Sequence, residues 1–174
     1  MSPRVVLVGL PGAGKSTTGR RLAKILAVPF ADSDELVEAA HGRTVREIFA
    51  ASGEAAFREL EREVIGDALE TFPGVLSLGG GALTSPDTRS ALVASAVAVV
   101  FLEAPVATLA ARVGDGRTRP LLTADPPARL TALADQRRPF YVEVANLHVD
   151  TASRTPGQVA SLIAARLHDW GVRA

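Results

Sequence analysis

The chain has 174 residues, 47% hydrophobic and 22% charged, with equal numbers of acidic and basic side chains and no cysteine. This is one domain's worth of sequence with enough apolar material for a substantial core, which excludes intrinsic disorder. Zero net charge implies no general polyanion-binding surface, and the missing cysteines exclude disulfides, thiolate metal sites and cysteine nucleophiles.

The first predicted element is a strand at 5–8, Val-Val-Leu-Val. Its unbroken apolar character fits a parallel strand with helices over both faces. Gly-Leu-Pro-Gly-Ala-Gly-Lys-Ser-Thr follows at 9–17 and leads into a helical stretch at 15–26. This is the phosphate-binding loop pattern in the strand, loop and helix context it needs. Backbone N–H groups across Gly12, Ala13, Gly14, Lys15, Ser16 and Thr17 would converge on one anion, helped by the partial positive charge of the helix N-terminus. Lys15 can reach the β- and γ-phosphates, and the Ser16 hydroxyl can ligate Mg²⁺.

A short strand at 29–31 then runs into Asp32-Ser33-Asp34. Phosphoryl transfer needs one acid near Mg²⁺, directly or through water, and another to orient the acceptor hydroxyl; Asp32 suits the first role and Asp34 the second. Asp32-x-x-Glu35 also reads as a capping box, as does Thr44-x-x-Glu47. In the helical segment 53–63, Arg58 has Glu54, Glu61 and Arg62 at helical spacing. Taken alone, that segment reads as a solvated face.

A third strand, at 75–78, ends on Gly79-Gly80-Gly81, where backbone can approach a ligand with no side chain in the way. Ser85-Pro86 marks a helix start, and a fourth strand is expected at 97–102. Residues 114–127 are rich in Gly, Pro and Arg and are expected to form a lid. Arg112, Arg117 and Arg119 cluster in and before it. An arginine on a closing loop can neutralise the transferring phosphoryl group and exclude water. Asp125-Pro126 marks the next helix start. Arg137 and Arg138 precede Pro139-Phe-Tyr141 and read equally as site residues or as a helix surface. A fifth strand at 147–149 and a capping box at Thr155-x-x-Gln158 complete the chain.

Alternating strands and helices specify an α/β sheet with right-handed crossovers. Such sheets bind ligands at the carboxyl ends of their strands, so the segments after the first three strands are expected to meet in one cleft. His41, His148 and His168 share no metal-ligand spacing, and the lone Tyr141 and Trp170 carry no nucleic-acid pattern. The longest apolar run, 96–102, is too short to span a bilayer, and no leader segment is visible, so a cytoplasmic enzyme is expected. A guanine-specific switch is disfavoured because the chain has no Asn-Lys-x-Asp signature.

Assembled, these motifs resemble those of shikimate kinases over about 5–167. The matching pieces are the loop at 9–17, Asp32-Ser33-Asp34, Gly53-Glu-Ala-Ala-Phe-Arg-Glu-Leu-Glu61, Leu78-Gly-Gly-Gly-Ala82, Arg119-Pro-Leu-Leu122 and Arg137-Arg-Pro-Phe-Tyr141. The resemblance implies a three-layer α/β domain over 1–174, like the nucleoside monophosphate kinases: a five-stranded parallel sheet flanked by helices, a substrate-binding segment at about 32–62, and a lid. It implies transfer of the γ-phosphoryl of ATP to the 3-hydroxyl of shikimate with Mg²⁺, a step of chorismate and aromatic amino acid biosynthesis. Asp34, Arg58, Gly80, Gly81 and Arg137 would hold shikimate, with Arg138 as the alternative to Arg137, and Gly79 opening the same turn. Arg119, or Arg117 in its place, would face the phosphates. Arg112 and the turn from Arg154 to Pro156 would lie against adenine. A monomer acting on small molecules, with no nucleic-acid or membrane partner, is the expected form. A related kinase of polyhydroxy acids, such as a gluconate kinase, is the alternative.

Overall fold

Val5–Val8 forms strand β1, and all four side chains are buried. A computed structural model describes residues 2–114 and 126–170, with β1 at the centre of a five-stranded sheet. The elements after it are α1 (Lys15–Leu26), β2 (Phe30–Asp32), α2 (Ser33–His41), α3 (Val45–Thr71) and β3 (Val75–Ser77). A 3₁₀ turn (Ala82–Thr84), α4 (Pro86–Ser95), β4 (Ala98–Glu103), α5 (Val106–Val113), α6 (Pro126–Val144), β5 (Leu147–Asp150) and α7 (Pro156–Asp169) follow. The spatial order is β2-β3-β1-β4-β5, and every pairing is parallel.

This is the α/β sheet expected from the sequence, with strand ends displaced by at most one residue. The displacement is of the size that terminal fraying produces. The order puts the carboxyl ends of β2, β3 and β1 side by side, because Asp32 pairs with Ser77 and Ser77 with Leu7. Helix α1 packs against α7 on one side of the sheet, and α3, α4 and α6 gather on the other. The main core runs through β1, β3 and β4, with Leu22, Ile65, Leu92, Leu130 and Ile163 supplied by the helices.

A second, smaller core of Val37, Ile48 and Phe57 ties α2 to α3. It spans most of the segment expected to bind substrate. Helix α3 is interrupted at Gly53, whose φ of 78° and ψ of 177° leave the helical region. Glycine alone takes that conformation without a steric cost.

The capping boxes at Thr44 and Thr155 form as predicted, and Ser85 caps α4 ahead of Pro86. Thr44→Ala is expected to lower stability by about 1 kcal/mol, the usual value of an N-cap hydroxyl, measured as a shift in urea midpoint at constant m. In the expected lid, residues 115–125 lie outside the described residues, including Arg117, Arg119 and the Asp125 cap. The helix start expected at Pro126 is observed, since α6 begins there. Among the described residues, no helix is long and apolar enough to cross a membrane.

Candidate active site

The loop between β1 and α1 wraps one wall of a cavity of about 570 Å³. Gly14 adopts a left-handed conformation (φ 87°) as the N-cap of α1, and no side chain caps that helix. The first-turn N–H groups are therefore left for a ligand, the arrangement that favours an anion. Gly12, Ala13, Gly14, Lys15, Ser16 and Thr17 all line the cavity. Lys15 is only 9% exposed, and its ammonium donates to the carbonyls of Gly9 (2.9 Å) and Leu10 (3.2 Å).

The cavity continues past β2. Ser16 Oγ donates to Asp32 Oδ2 at 2.8 Å, and the other Asp32 oxygen accepts from the N–H of Asp34. Capping and site placement are thus not alternatives for Asp32; one carboxylate does both. The Ser16–Asp32 pair offers hard oxygens at the cavity wall, and no cluster of three or more metal-ligating side chains exists among the described residues. That donor set fits Mg²⁺, which takes one or two protein oxygens and completes its octahedron with phosphate and water.

Beyond β3 the triglycine turn closes the opposite wall. The N–H of Gly79 donates to the buried hydroxyl of Ser33 at 2.8 Å. A methyl group on Gly79 would lie 2.5 Å from Glu61 Oε1 and 2.9 Å from Asp34 Oδ1. A methyl group on Gly81 would overlap the guanidinium of Arg58. The turn is glycine because two carboxylates and an arginine press against it.

Arg58 is not the solvated helix residue that its segment suggests. Its side chain is 16% exposed and is held by Glu61 at 2.5 Å and Glu54 at 3.2 Å. Burial opposes its charge, but Glu61 and then Glu54 outweigh burial and raise its pKa. Glu61, with 2% of its side chain exposed, is pushed up by burial more strongly than Arg58 pulls it down. Arg137 is also buried, and its pKa is lowered, first by burial and further by the charge of Arg58. Its neighbour Arg138 instead points outward and pairs with Glu103 at 2.8 Å. Of these two arginines, Arg137 is the one brought into the Arg58 and Glu61 cluster. The Nε atoms of Arg58 and Arg137 and Glu61 Oε1 are buried without a hydrogen-bond partner among the described residues. Two buried guanidiniums with donors to spare are chemically suited to an anion.

At the far end of the cavity Arg112 donates to Gly12 O (3.3 Å), Thr151 Oγ1 (3.0 Å) and Thr151 O (2.6 Å). Arg154 donates to Asp150 O and lines the same space with Pro156. Four residues here were not singled out from the sequence as site candidates: Ser33, Glu61, Tyr141 and Thr151. Glu61 was legible in principle, because it falls three residues after Arg58. The other three meet the site only through the fold.

A profile of the family described as Shikimate kinase matches residues 11–168. The shikimate kinase of Mycobacterium ulcerans is 50% identical over 170 residues, covering 97% of this chain and 91% of that protein. The structure of shikimate kinase from Acinetobacter baumannii in complex with shikimate superposes with a TM-score of 0.91 at 35% identity, over 97% of this chain and 94% of that one. A gluconokinase from Sinorhizobium meliloti shares the fold at a TM-score of 0.63 and 22% identity, over 97% of this chain and 93% of that one. With the whole domain matched at this level, the chain belongs to the shikimate kinase family.

Proposed function

We propose that this cavity seats ATP along the loop at Gly12–Thr17 and shikimate against the β3 turn, as substrates of a single phosphoryl transfer. The enzyme is an ATP-dependent shikimate kinase, moving the γ-phosphoryl of ATP to the 3-hydroxyl of shikimate. The observation that carries the division of labour is the triglycine turn. It packs against Asp34, Glu61 and Arg58, and it follows β3, the strand beside β1, whose loop leads to Lys15.

In this reading Arg58 and Arg137 bind the acceptor carboxylate, for which bidentate guanidinium recognition is suited. Gly79, Gly80 and Gly81 give the ring a surface of bare backbone. Asp34 holds the acceptor hydroxyl toward the phosphates as orienting group or base. Lys15 neutralises charge on the phosphoryl oxygens, and Arg119 is assigned the same role from the family likeness. Arg112 and Arg154 border the adenine end. Ser16 and Asp32 would hold Mg²⁺, directly or through water, and the ion when bound would offset charge on the β- and γ-phosphates. The enzyme is proposed to work as a monomer in the cytoplasm, without nucleic-acid or membrane partners, and with the lid as part of a single domain.

A coupled assay tests the reading. ADP release should depend on shikimate and Mg²⁺, stop when the metal is chelated, and resume when Mg²⁺ is restored. Gluconate should not replace shikimate as acceptor. Shikimate-independent turnover, or equal rates with gluconate, would overturn the assignment of the acceptor site.

A further inference from the structure

Tyr141 is the only tyrosine in the chain and reaches the site from α6. It is 1% exposed, and its ring stacks on Phe101 of β4 with centroids 5.0 Å apart. Its hydroxyl donates to the carbonyl of Gly80 at 2.6 Å. Arg137, one helical turn earlier on α6 and also buried, lies within electrostatic reach of the same hydroxyl. The O–H is committed to Gly80 O, and an arginine can only donate, so the phenol oxygen can face Arg137 only as an acceptor.

We propose that Tyr141 is a positioning residue for acceptor recognition, setting the guanidinium of Arg137 and the peptide between Gly80 and Gly81 in one geometry. This rests on reading Arg137 and the triglycine turn as the shikimate side of the cavity. The carbonyl of Gly80 and the N–H of Gly81 belong to one trans peptide and point in opposite directions. Anchoring that carbonyl on Tyr141 therefore aims the Gly81 N–H away from α6. The bond from the Ala82 N–H to the Gly79 carbonyl closes a turn over Gly80 and Gly81, but with glycine at both central positions the peptide between them can still flip between turn types, so a fixed N–H direction there needs a further anchor. Arg137 has the matching problem. It lies buried beside the like charge of Arg58, which disfavours its position, and the tyrosine oxygen offsets that repulsion. Burial holds the phenol pKa well above its ordinary value, so the hydroxyl keeps the proton it donates to Gly80 across the working pH range.

Tyr141→Phe keeps the ring and removes the relay. The KM for shikimate should rise about 5- to 30-fold, as expected for one hydrogen bond that orients a charged group. The KM for ATP and kcat should hold. Arg137→Ala and the double variant complete a cycle, and the loss in the double variant should fall clearly short of the sum of the two single losses, because the part of the tyrosine's effect that runs through the arginine is already gone. If Arg137→Ala raises the KM but Tyr141→Phe does not, the positioning role fails and the acceptor-site reading stands. If the two effects simply add, the positioning role also fails. If Arg137→Ala leaves the KM unchanged, both fail. A second measurement needs no variant: biosynthetic 3-fluorotyrosine labels position 141 alone. Its ¹⁹F resonance should move on saturation with shikimate and not with the carboxamide of shikimate. No movement with shikimate, or equal movement with both, would overturn the proposal.

Discussion

Lys15→Ala is expected to lower kcat by about 10²- to 10³-fold, the loss found when one preorganised donor to transition-state charge is removed. The size of the effect follows from where the ammonium sits. It is 9% exposed and held by the carbonyls of Gly9 and Leu10 at the end of β1, so it is placed before substrate arrives. A charge fixed in a site that excludes water acts at much lower dielectric than one on a mobile surface chain. Lys15→Arg should not rescue turnover, because a planar fork cannot occupy the place of a compact ammonium folded back on its own loop. Thermal unfolding of both variants should show that the sheet persists. The removed ammonium takes a donor from the Gly9 carbonyl, while Leu10 O keeps the N–H of Ala13, and such a loss costs about 1–3 kcal/mol and not the fold. Full kcat in a folded Lys15→Ala variant would remove the loop from the chemistry.

The nucleotide side of this site was legible because its information is local. Residues 9–17 fold into an anion cradle by backbone geometry alone, and the order of strand, loop and helix is written in consecutive residues. The strand ends at Asp32 and Gly79 could be placed by the rule for open α/β sheets, and the observed order β2-β3-β1 puts them beside the loop. The acceptor side was less legible because its information is not local. Arg58 and Glu61 have the i,i+3 spacing of any surface ion pair, and nothing in that spacing says whether the face looks at water or at another chain segment. The approach of the turn at Gly81, which follows β3, covers the pair. Arg137 and Arg138 differ by 100° of helical rotation, and no local signal tells which one faces inward. The structure separates them: Arg137 lies with Tyr141, and Arg138 pairs with Glu103. In sequence Tyr141 is a lone aromatic with no local signal of its role, and its partner Gly80 is 61 residues away.

Arg58→Ala should produce the larger loss on the acceptor side. Removing one member of a buried, hydrogen-bonded charge pair costs about 2–5 kcal/mol, which in kcat/KM for shikimate is roughly 30- to 5,000-fold. Part of that loss could be structural, and pH separates the two causes. Glu61 is already pushed up by burial, and Arg58 is the chief group holding it down. Without Arg58 its folded-state pKa rises further above the unfolded value. Between those two values the folded protein then holds a proton that the unfolded chain has released. Stability must therefore fall as pH rises through that window, and more steeply in the variant than in the parent. Below the unfolded value, Arg58→Ala should lose little stability through Glu61. At neutral pH it should lose the most, because an unpaired carboxylate is left buried. Adding Glu61→Gln removes that charge, so the double variant should regain neutral-pH stability over Arg58→Ala. It should not regain the KM for shikimate, because the acceptor's anion still lacks its guanidinium. Urea unfolding across pH, with steady-state kinetics on the same three proteins, reads both. If Glu61→Gln restored the KM along with the stability, Arg58 would be a structural ion pair and the acceptor carboxylate would have to be held elsewhere.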